Sequence, residues 1–530
     1  MNLLAKIKKN WLILALLGIF AVGILLRTYH FSDWLRVNMD QARDTNLVEN
    51  MIQEKIWPKL GPKAGGTEFK LGPAFYDFQL ISAKLFGANF PAVAYPDLLF
   101  SLLSIPLFFL LAKIFFNKSI SLTLTWLFAI SYFVIKYSRF AWNPNSTPFF
   151  VMLFLYAIYQ IGTTKNKKQL SWALMAGVAM GIGVQLHTTL LVIMPITAVL
   201  FAYYLYKNKT LAGLCVVAVF VGAMLVNIPQ LNTEIKTNGS NVRAFFVGAE
   251  NKNSRNTNIL DNLALNATCH IRANFGIVAS YSREEECDYG DVLRSASKSD
   301  GYLTIFYLLG ATIFSLGGYF LAYRELKKET KKDKQFFLKL ILSYTLLVFL
   351  FFIIVATELS MRFFLIVEFV PFLLLGFWLK FLAEKNKKLL LIIVVILCSF
   401  FSLHKDYSVF RDLQFGGREI NGQFEYITLG EVNFITDYIK QNNTGRNVAY
   451  LDAQAGYLFK AFKALRLVAN KKGLELIELN KTVNLVSGDK LFYLKNSSDK
   501  CEFPDNLTLK YTSTSCVTYR QFSVFNLSVK

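Results

Sequence analysis

Apolar runs recur along this chain, separated by short polar breaks. Runs of about 17 to 25 residues are long enough to cross a hydrocarbon layer as helices. The pattern predicts about eleven transmembrane helices, at about 11–29, 92–116, 120–138, 147–163, 170–187, 189–206, 210–228, 302–323, 337–356, 363–383 and 388–404. Few of them carry a charge at mid-span, and none shows sustained heptads or a visible inverted repeat. Past residue 404 the pattern changes. Strand-like runs fall at 448–451, 474–479, 491–494 and 517–524, and helix-like runs at 432–440 and 457–469. The expected architecture is a polytopic α-helical membrane domain over 1–404, with long outer loops at 30–91 and 229–300. A small extracytoplasmic α/β domain over 405–530 follows.

Charge orients the pattern. Lys113/Lys118, Lys165/Lys167/Lys168, Lys207/Lys209, Arg324 through Lys334 and Lys385/Lys387/Lys388 all occupy short connections on one side. By the positive-inside rule that side is cytoplasmic, with the N-terminus on it. Lys6, Lys8 and Lys9 precede the first apolar run, and no small-x-small site follows it, so an uncleaved helix is expected. Mean hydropathy of +0.38 and 54% hydrophobic residues exclude an ordinary soluble protein and point to the cell membrane. A net charge of +21 suggests nucleic acid in a soluble chain. Here the basic residues cluster between apolar runs, which favours topology and anionic headgroups over nucleic acid.

Six cysteines are present. Cys215 and Cys398 fall in predicted helices as apolar filler. Cys269 and Cys287 share the second outer loop, and Cys501 and Cys516 share the tail, so two disulfides are expected on the outer side.

Four segments carry candidate chemistry. The first is Asn38-Met39-Asp40-Gln41-Ala42-Arg43-Asp44, followed by Leu47, Val48, Met51, Ile52 and Ile56 at three-to-four spacing. This predicts an amphipathic helix on the membrane surface, capped by Asn38 with Gln41 as return partner. Asp40 and Asp44 lie one turn apart with Arg43 beside them. They are either acids compensating the helix dipole or a carboxylate pair for catalysis, able also to hold a divalent ion. The second segment, Gly61 to Tyr76, is an ordered turn rich in Gly and Pro before an amphipathic helix at about 74–86. Its Lys70 is either a headgroup-level lysine or a point charge for phosphate.

The third segment runs from Lys136 through Arg139, Trp142 and Asn143 to Asn145. Arg139 with amide and aromatic neighbours suits a phosphate or sugar, or else anchors an aromatic belt. The fourth is Glu358-Leu359-Ser360-Met361-Arg362, where ionisable residues mark a substrate path or pair with each other. His187, in a tight hairpin between helices, either faces the same cavity or caps its turn. No Walker loop, zinc signature or Ser-His-Asp order appears, which argues against a nucleotide donor held by a standard fold.

A short basic N-terminus, one helix, and a long outer loop with an Asp-x-x-Arg motif at Asp40 to Arg43 come first. Helix pairs with short turns and an outer tail follow. This arrangement resembles the GT-C membrane glycosyltransferases, in particular the protein O-mannosyltransferases and the lipid A aminoarabinose transferase group. The resemblance covers about 1–404 in architecture, and 38–76 and 137–145 in motif. It implies a catalytic carboxylate at Asp40. Relatives often have Asp-Glu there, and this chain has Gln41, so a second acidic role is absent or moves to Asp44. It implies that Lys70, in a stretch similar to the family's Lys-Pro-Pro-x-x-Tyr segment ending at Tyr76, contacts the donor phosphate. The donor it implies is a polyprenyl-phosphate-linked sugar, transferred with inversion to an extracytoplasmic protein, lipid or glycan. Lys70, Arg139 and Arg362 are the candidate cations for the phosphate. A transporter or flippase of a lipid-linked saccharide is the alternative, and a polysaccharide polymerase or ligase a third reading.

Overall fold

The computed structural model describes residues 3–65, 67–253, 258–280, 301–356, 359–416, 419–420, 423–424, 426–443, 447–453, 458–479, 490–496, 501–503, 507–508 and 510–529. A chain in lipid must pair its backbone internally, and helices are the solution found here. Among the described residues, nine helices are long and apolar enough to cross a membrane. They are α1 (Leu3–Thr28), α4 (Phe90–Phe115), α7 (Thr147–Thr163, with a preceding turn), α8 (Asn166–Leu186) and α9 (Thr188–Lys207). The others are α10 (Gly213–Lys236), α13 (Gly301–Lys328, from Ile305), α14 (Lys332–Ile354) and α16 (Lys388–Phe415).

The other two expected spans are broken. The run at 120–138 divides at Ser131 into α5 (Lys118–Ile130) and α6 (Tyr132–Tyr137). The run at 363–383 becomes a 3₁₀ turn, Met361–Val367, bent by 67° from α15 (Val370–Glu384), whose first turn holds Pro371. Proline suits a helix start and cannot continue one from behind.

The loop expected at 229–300 contains two helices, α11 (Ser240–Asn253) and α12 (Ile259–Ala279). Cys269, Ala273 and Ile277 of α12 belong to the main core of the bundle. Asn262, Asn266, His270 and Asn274 recur along α12 every fourth residue and are buried. They depress its hydropathy, so the run reads as loop although it packs as bundle. Asn266 opens an Asn-x-Thr triplet, and its amide is spent on the Phe349 carbonyl at 2.8 Å. Cys287 lies outside the described residues, while its expected partner Cys269 is buried in α12.

Two ends of the bundle are distinct. Lys334 Nζ reaches the Phe115 carbonyl (3.1 Å), and Arg324 lies 3.9 Å from Glu384, which gathers basic connections at one end. The opposite end carries α2 (Met39–Gln53), α3 (Ala74–Phe86) and the tail. Helices α8 and α10 touch through glycine. A Cβ on Gly177 would sit 2.1 Å from the Val219 carbonyl oxygen, and one on Gly222 2.6 Å from that of Leu174. Small residues are how helices approach closely where no hydrophobic effect drives them together.

The tail opens with a short hairpin, β1 (Glu419–Ile420) and β2 (Gln423–Phe424), then α17 (Leu429–Asn442). Its sheet contains β3 (Val448–Ala453), β4 (Glu475–Glu478), β5 (Leu491–Asn496), β6 (Tyr511–Tyr519) and β7 (Phe522–Val529), in the order β4-β3-β5-β7-β6. β3 is parallel to β4 and β5, and β7 is antiparallel to β5 and β6. With α18 (Leu458–Lys471) this is the expected α/β unit. The single strand expected at 517–524 is instead the corner of a hairpin. Tyr519 pairs with Phe522, and Arg520 turns the chain at φ 56°. Cys501 and Cys516 form the expected disulfide.

The tail is not detached from the membrane part. Val37 donates to the Ile427 carbonyl (3.0 Å) and Leu429 to that of Leu35 (2.9 Å), a short ladder between outer loop and tail. Val37, Ala42 and Val48 share one core with Ile427, Val432 and Leu465. Lys471 pairs with Glu49 at 2.9 Å and Arg520 with Asp33 at 2.5 Å.

Gly177→Leu must push α8 from α10, at a cost of about 1–3 kcal/mol. Its melting temperature in detergent should fall, while Gly18→Leu, with no atom within 4 Å of the added Cβ, should melt like wild type.

Candidate active site at the tail-bearing end

Helix α2 begins at Asn38, whose backbone N–H donates to Gln41 Oε1 at 3.0 Å, the return half of the expected capping box. Gln41 also donates to the Ala141 carbonyl at 2.8 Å, joining α2 to the connection before α7. Arg43 lies between the two acids, 2.9 Å from Asp40 Oδ1 and 2.9 Å from Asp44 Oδ1. Tyr76, on α3, donates its hydroxyl to the same Asp44 oxygen at 2.9 Å. The acids therefore differ in environment. Asp44 is buried and Asp40 has a side chain 55% exposed. Burial pushes the Asp44 carboxyl above its ordinary range, against the Arg43 guanidinium and the Tyr76 hydroxyl. Burial also pushes the Tyr76 hydroxyl up, and the Asp44 charge adds to it.

Arg43 takes the place between the carboxylates that a divalent ion would need. Among the described residues no group of three His, Cys, Asp or Glu side chains forms a metal cluster. Asp40 and Asp44 do not fit a metal site.

The 61–72 turn is locked before α3. Gly61 donates to Leu71 (2.8 Å) and Leu71 to Pro62 (3.0 Å). A Cβ on Gly61 would lie 2.1 Å from the Gly72 carbonyl oxygen, so only glycine fits. Asn241 of α11 grips both backbone groups of Lys70, at 2.7 and 2.9 Å, and leaves its side chain exposed.

Arg139 is placed differently. Its guanidinium is buried and donates to the carbonyls of Leu26 (3.0 Å), Arg27 (2.9 Å) and Tyr29 (2.7 Å), with the Phe31, Trp34 and Phe410 rings around it. It closes the C-terminus of α1. Asn143 donates to the Leu186 carbonyl at 2.8 Å and so caps α8. His187 caps α9, its Nδ1 accepting from Thr189 N–H at 3.2 Å, and its ring meets Phe363 edge-on. Arg362 is exposed, with its guanidinium 5.8 Å from the Trp142 ring centre. Glu358 lies outside the described residues.

A chain of contacts thus links the candidates. Asp40 and Gln41 start α2, Gln41 holds Ala141, and the next residue, Trp142, lies under Arg362. The anchor of that connection was not legible in sequence. Asp97, inside α4, accepts from the Trp142 N–H (3.0 Å) and the Ser146 hydroxyl (2.5 Å). Beneath it Arg27, Glu368 and Asp406 are buried near Arg139. The signal for all of them is a charge within or at the end of an apolar run, which lipid tolerates only when it faces protein.

The fold is that of a polytopic membrane protein of GT-C architecture. Residues 71–232 match the family model described as Dolichyl-phosphate-mannose-protein mannosyltransferase. The structure is similar to that of ArnT from Cupriavidus metallidurans bound to undecaprenyl phosphate, with 12% identity, TM-score 0.55 and 98% of both chains covered. It is also similar to the Archaeoglobus fulgidus oligosaccharyltransferase in complex with Zn and sulfate. There identity is 15% and TM-score 0.51, covering 88% of this chain and 62% of that one. Among curated proteins none matches. The resemblance to GT-C membrane glycosyltransferases read from the sequence is borne out.

Arg139→Ala leaves three carbonyls of the α1 end without their donor, at about 1–3 kcal/mol for a buried group left unpaired. Its melting temperature should drop. Asp77, beside Tyr76, is half-buried, and burial pushes its carboxyl from 3.8 up to about 6 despite a bond from Trp57. The folded state holds that proton more tightly than the unfolded chain. The resulting stability is complete below 3.8 and is lost as pH rises through about 6. Asp77→Asn should flatten the melting profile across that window.

Proposed function

We propose that this protein transfers a sugar from a polyprenyl-phosphate-linked donor to an acceptor outside the cytoplasm, with inversion at the sugar carbon. The observation that carries the reading is the exposed carboxylate of Asp40, held at one oxygen by Arg43, with Lys70 and Arg362 exposed as well. The 71–232 match and the fold shared with an undecaprenyl-phosphate-bound relative support a lipid-phosphate donor. By the same reading, the basic end of the bundle and the N-terminus are cytoplasmic, and the tail is extracytoplasmic.

In this mechanism the acceptor hydroxyl attacks the anomeric carbon from the face opposite the phosphate. Its proton passes to Asp40 Oδ2, the oxygen that Arg43 leaves open. The sugar–oxygen bond to phosphate breaks, and the lipid phosphate leaves with the bonding pair. Lys70 and Arg362 neutralise its developing charge. Cations aimed at a leaving group stabilise it more in the transition state than in the ground state. Arg43 keeps Asp40 aimed, and Asp44 with Tyr76 keeps Arg43 in place. Arg139, Asn143 and His187 act as caps that shape the surface.

Asp40→Asn should fold normally and lose about 10²–10⁴ in turnover, the usual worth of a positioned base. The measurement is transfer of radiolabelled sugar from a polyprenyl-phosphate donor in proteoliposomes. Arg362→Ala should raise the KM for that donor, with a smaller loss of turnover. Full turnover by Asp40→Asn would overturn the mechanism. Label crossing the bilayer without transfer would turn the reading to a flippase.

A further inference from the structure

The end of the bundle away from the candidate site contains a cleft of about 630 Å³ between the α7–α8 and α9–α10 connections. It lies one helix length below the site, ~26 Å along the 17 residues of α7 at 1.5 Å each. Lys165, Lys167 and Lys209 line it, and no carboxylate does among the described residues. All three lysines are exposed, and none has an ion pair or a side-chain hydrogen bond among the described residues. Unpaired like charges facing one cavity repel each other, and an anion entering it relieves that repulsion.

The backbone adds to this field. The N-termini of α8 and α10 both open at the cleft, and neither Lys165 nor Ala212 caps its helix with a side chain. Each leaves unpaired N–H groups and the positive end of a helix dipole. The cleft is also a built feature. Gln169 is buried in its floor and donates to the carbonyls of Ile161 (2.8 Å) and Thr210 (2.7 Å), fixing one connection to the other.

The rim separates a lipid from a soluble anion. Leu170 and Leu214 line the cleft, and from there toward the bilayer middle α10 exposes Leu214, Val217, Phe220 and Val221. A phosphate seated among the lysines would lie at headgroup level with its acyl chains along that face. Basic pockets between helices at the membrane surface take anionic headgroups.

We infer that the Lys165/Lys167/Lys209 cleft binds the phosphate headgroup of an anionic phospholipid in the leaflet opposite the candidate active site. The test uses the full chain in detergent, titrated with phosphatidylglycerol or phosphatidylcholine and read by native mass spectrometry. Wild type should retain phosphatidylglycerol in preference to phosphatidylcholine. Lys165→Ala/Lys167→Ala/Lys209→Ala should lose roughly a hundredfold in affinity, about fivefold per lysine. Lys165→Arg/Lys167→Arg/Lys209→Arg should keep it, as should Lys385→Ala/Lys387→Ala/Lys388→Ala at the same end. An unchanged melting temperature of the alanine variant in zwitterionic detergent checks its fold. If it melts lower, the Arg variant and wild type still decide through their headgroup preference. Equal retention of both lipids by wild type would overturn the proposal. So would equal phosphatidylglycerol binding by a folded alanine variant. Displacement of the lipid by millimolar inorganic phosphate would assign the cleft to a soluble phosphate and overturn the lipid.

Discussion

The first helix turns its last carbonyls toward protein at Arg27, and they need donors there. Arg139 supplies them, with three bonds from one guanidinium to Leu26, Arg27 and Tyr29. A buried carbonyl with no donor costs about as much as several surface contacts contribute, so this pairing constrains everything near it. Arg139 is fixed to α1 and therefore fixes the connection that follows, Phe140 to Ser146. That connection receives Gln41 at Ala141 and offers Trp142 to Arg362. The candidate site is assembled around a helix end that has been closed.

Charge in this region is arranged in layers. Arg27 on α1, Glu368 in the break before α15 and Asp406 on α16 are opposite signs buried together. Above them Asp97 holds the turn before α7 through a backbone N–H and a hydroxyl. At the surface Arg43 divides itself between a buried acid and an exposed one. The burial of Asp44 is tolerable because Arg43 and Tyr76 satisfy it, and that in turn holds Arg43 where Asp40 can use it. Two identical residues one turn apart thus acquire different environments.

The tail belongs to this arrangement. Its first helix and sheet share a core with the outer loop, and the ladder between Leu35–Val37 and Ile427–Leu429 pairs edges that neither part could satisfy alone. An amphipathic helix such as α2 needs something on its apolar face. Here α18 of the tail covers part of what a membrane surface would otherwise take. The helix carrying Asp40 therefore rests on folded protein.

Hydropathy alone determined most of the run of spans and the change of character past residue 404. Each depends on the cost of putting polar backbone or side chains in hydrocarbon, which is local in sequence. The Asp40 to Asp44 segment was legible for the same reason, since four-residue spacing places its charges on one helix face. The sequence could not reveal α12, because Asn266 and His270 read as polar whether they meet water or Tyr319 and Phe349. Nor could it separate Arg139 from Arg362. Both are arginines beside aromatics on the same side, and only the fold buries one in a helix end and leaves the other exposed. The difference between Asp40 and Asp44, the corner at Arg520 and the tail seated on α2 were likewise decided by tertiary structure. Burial and partnership come from residues distant in the chain, and no local pattern encodes them.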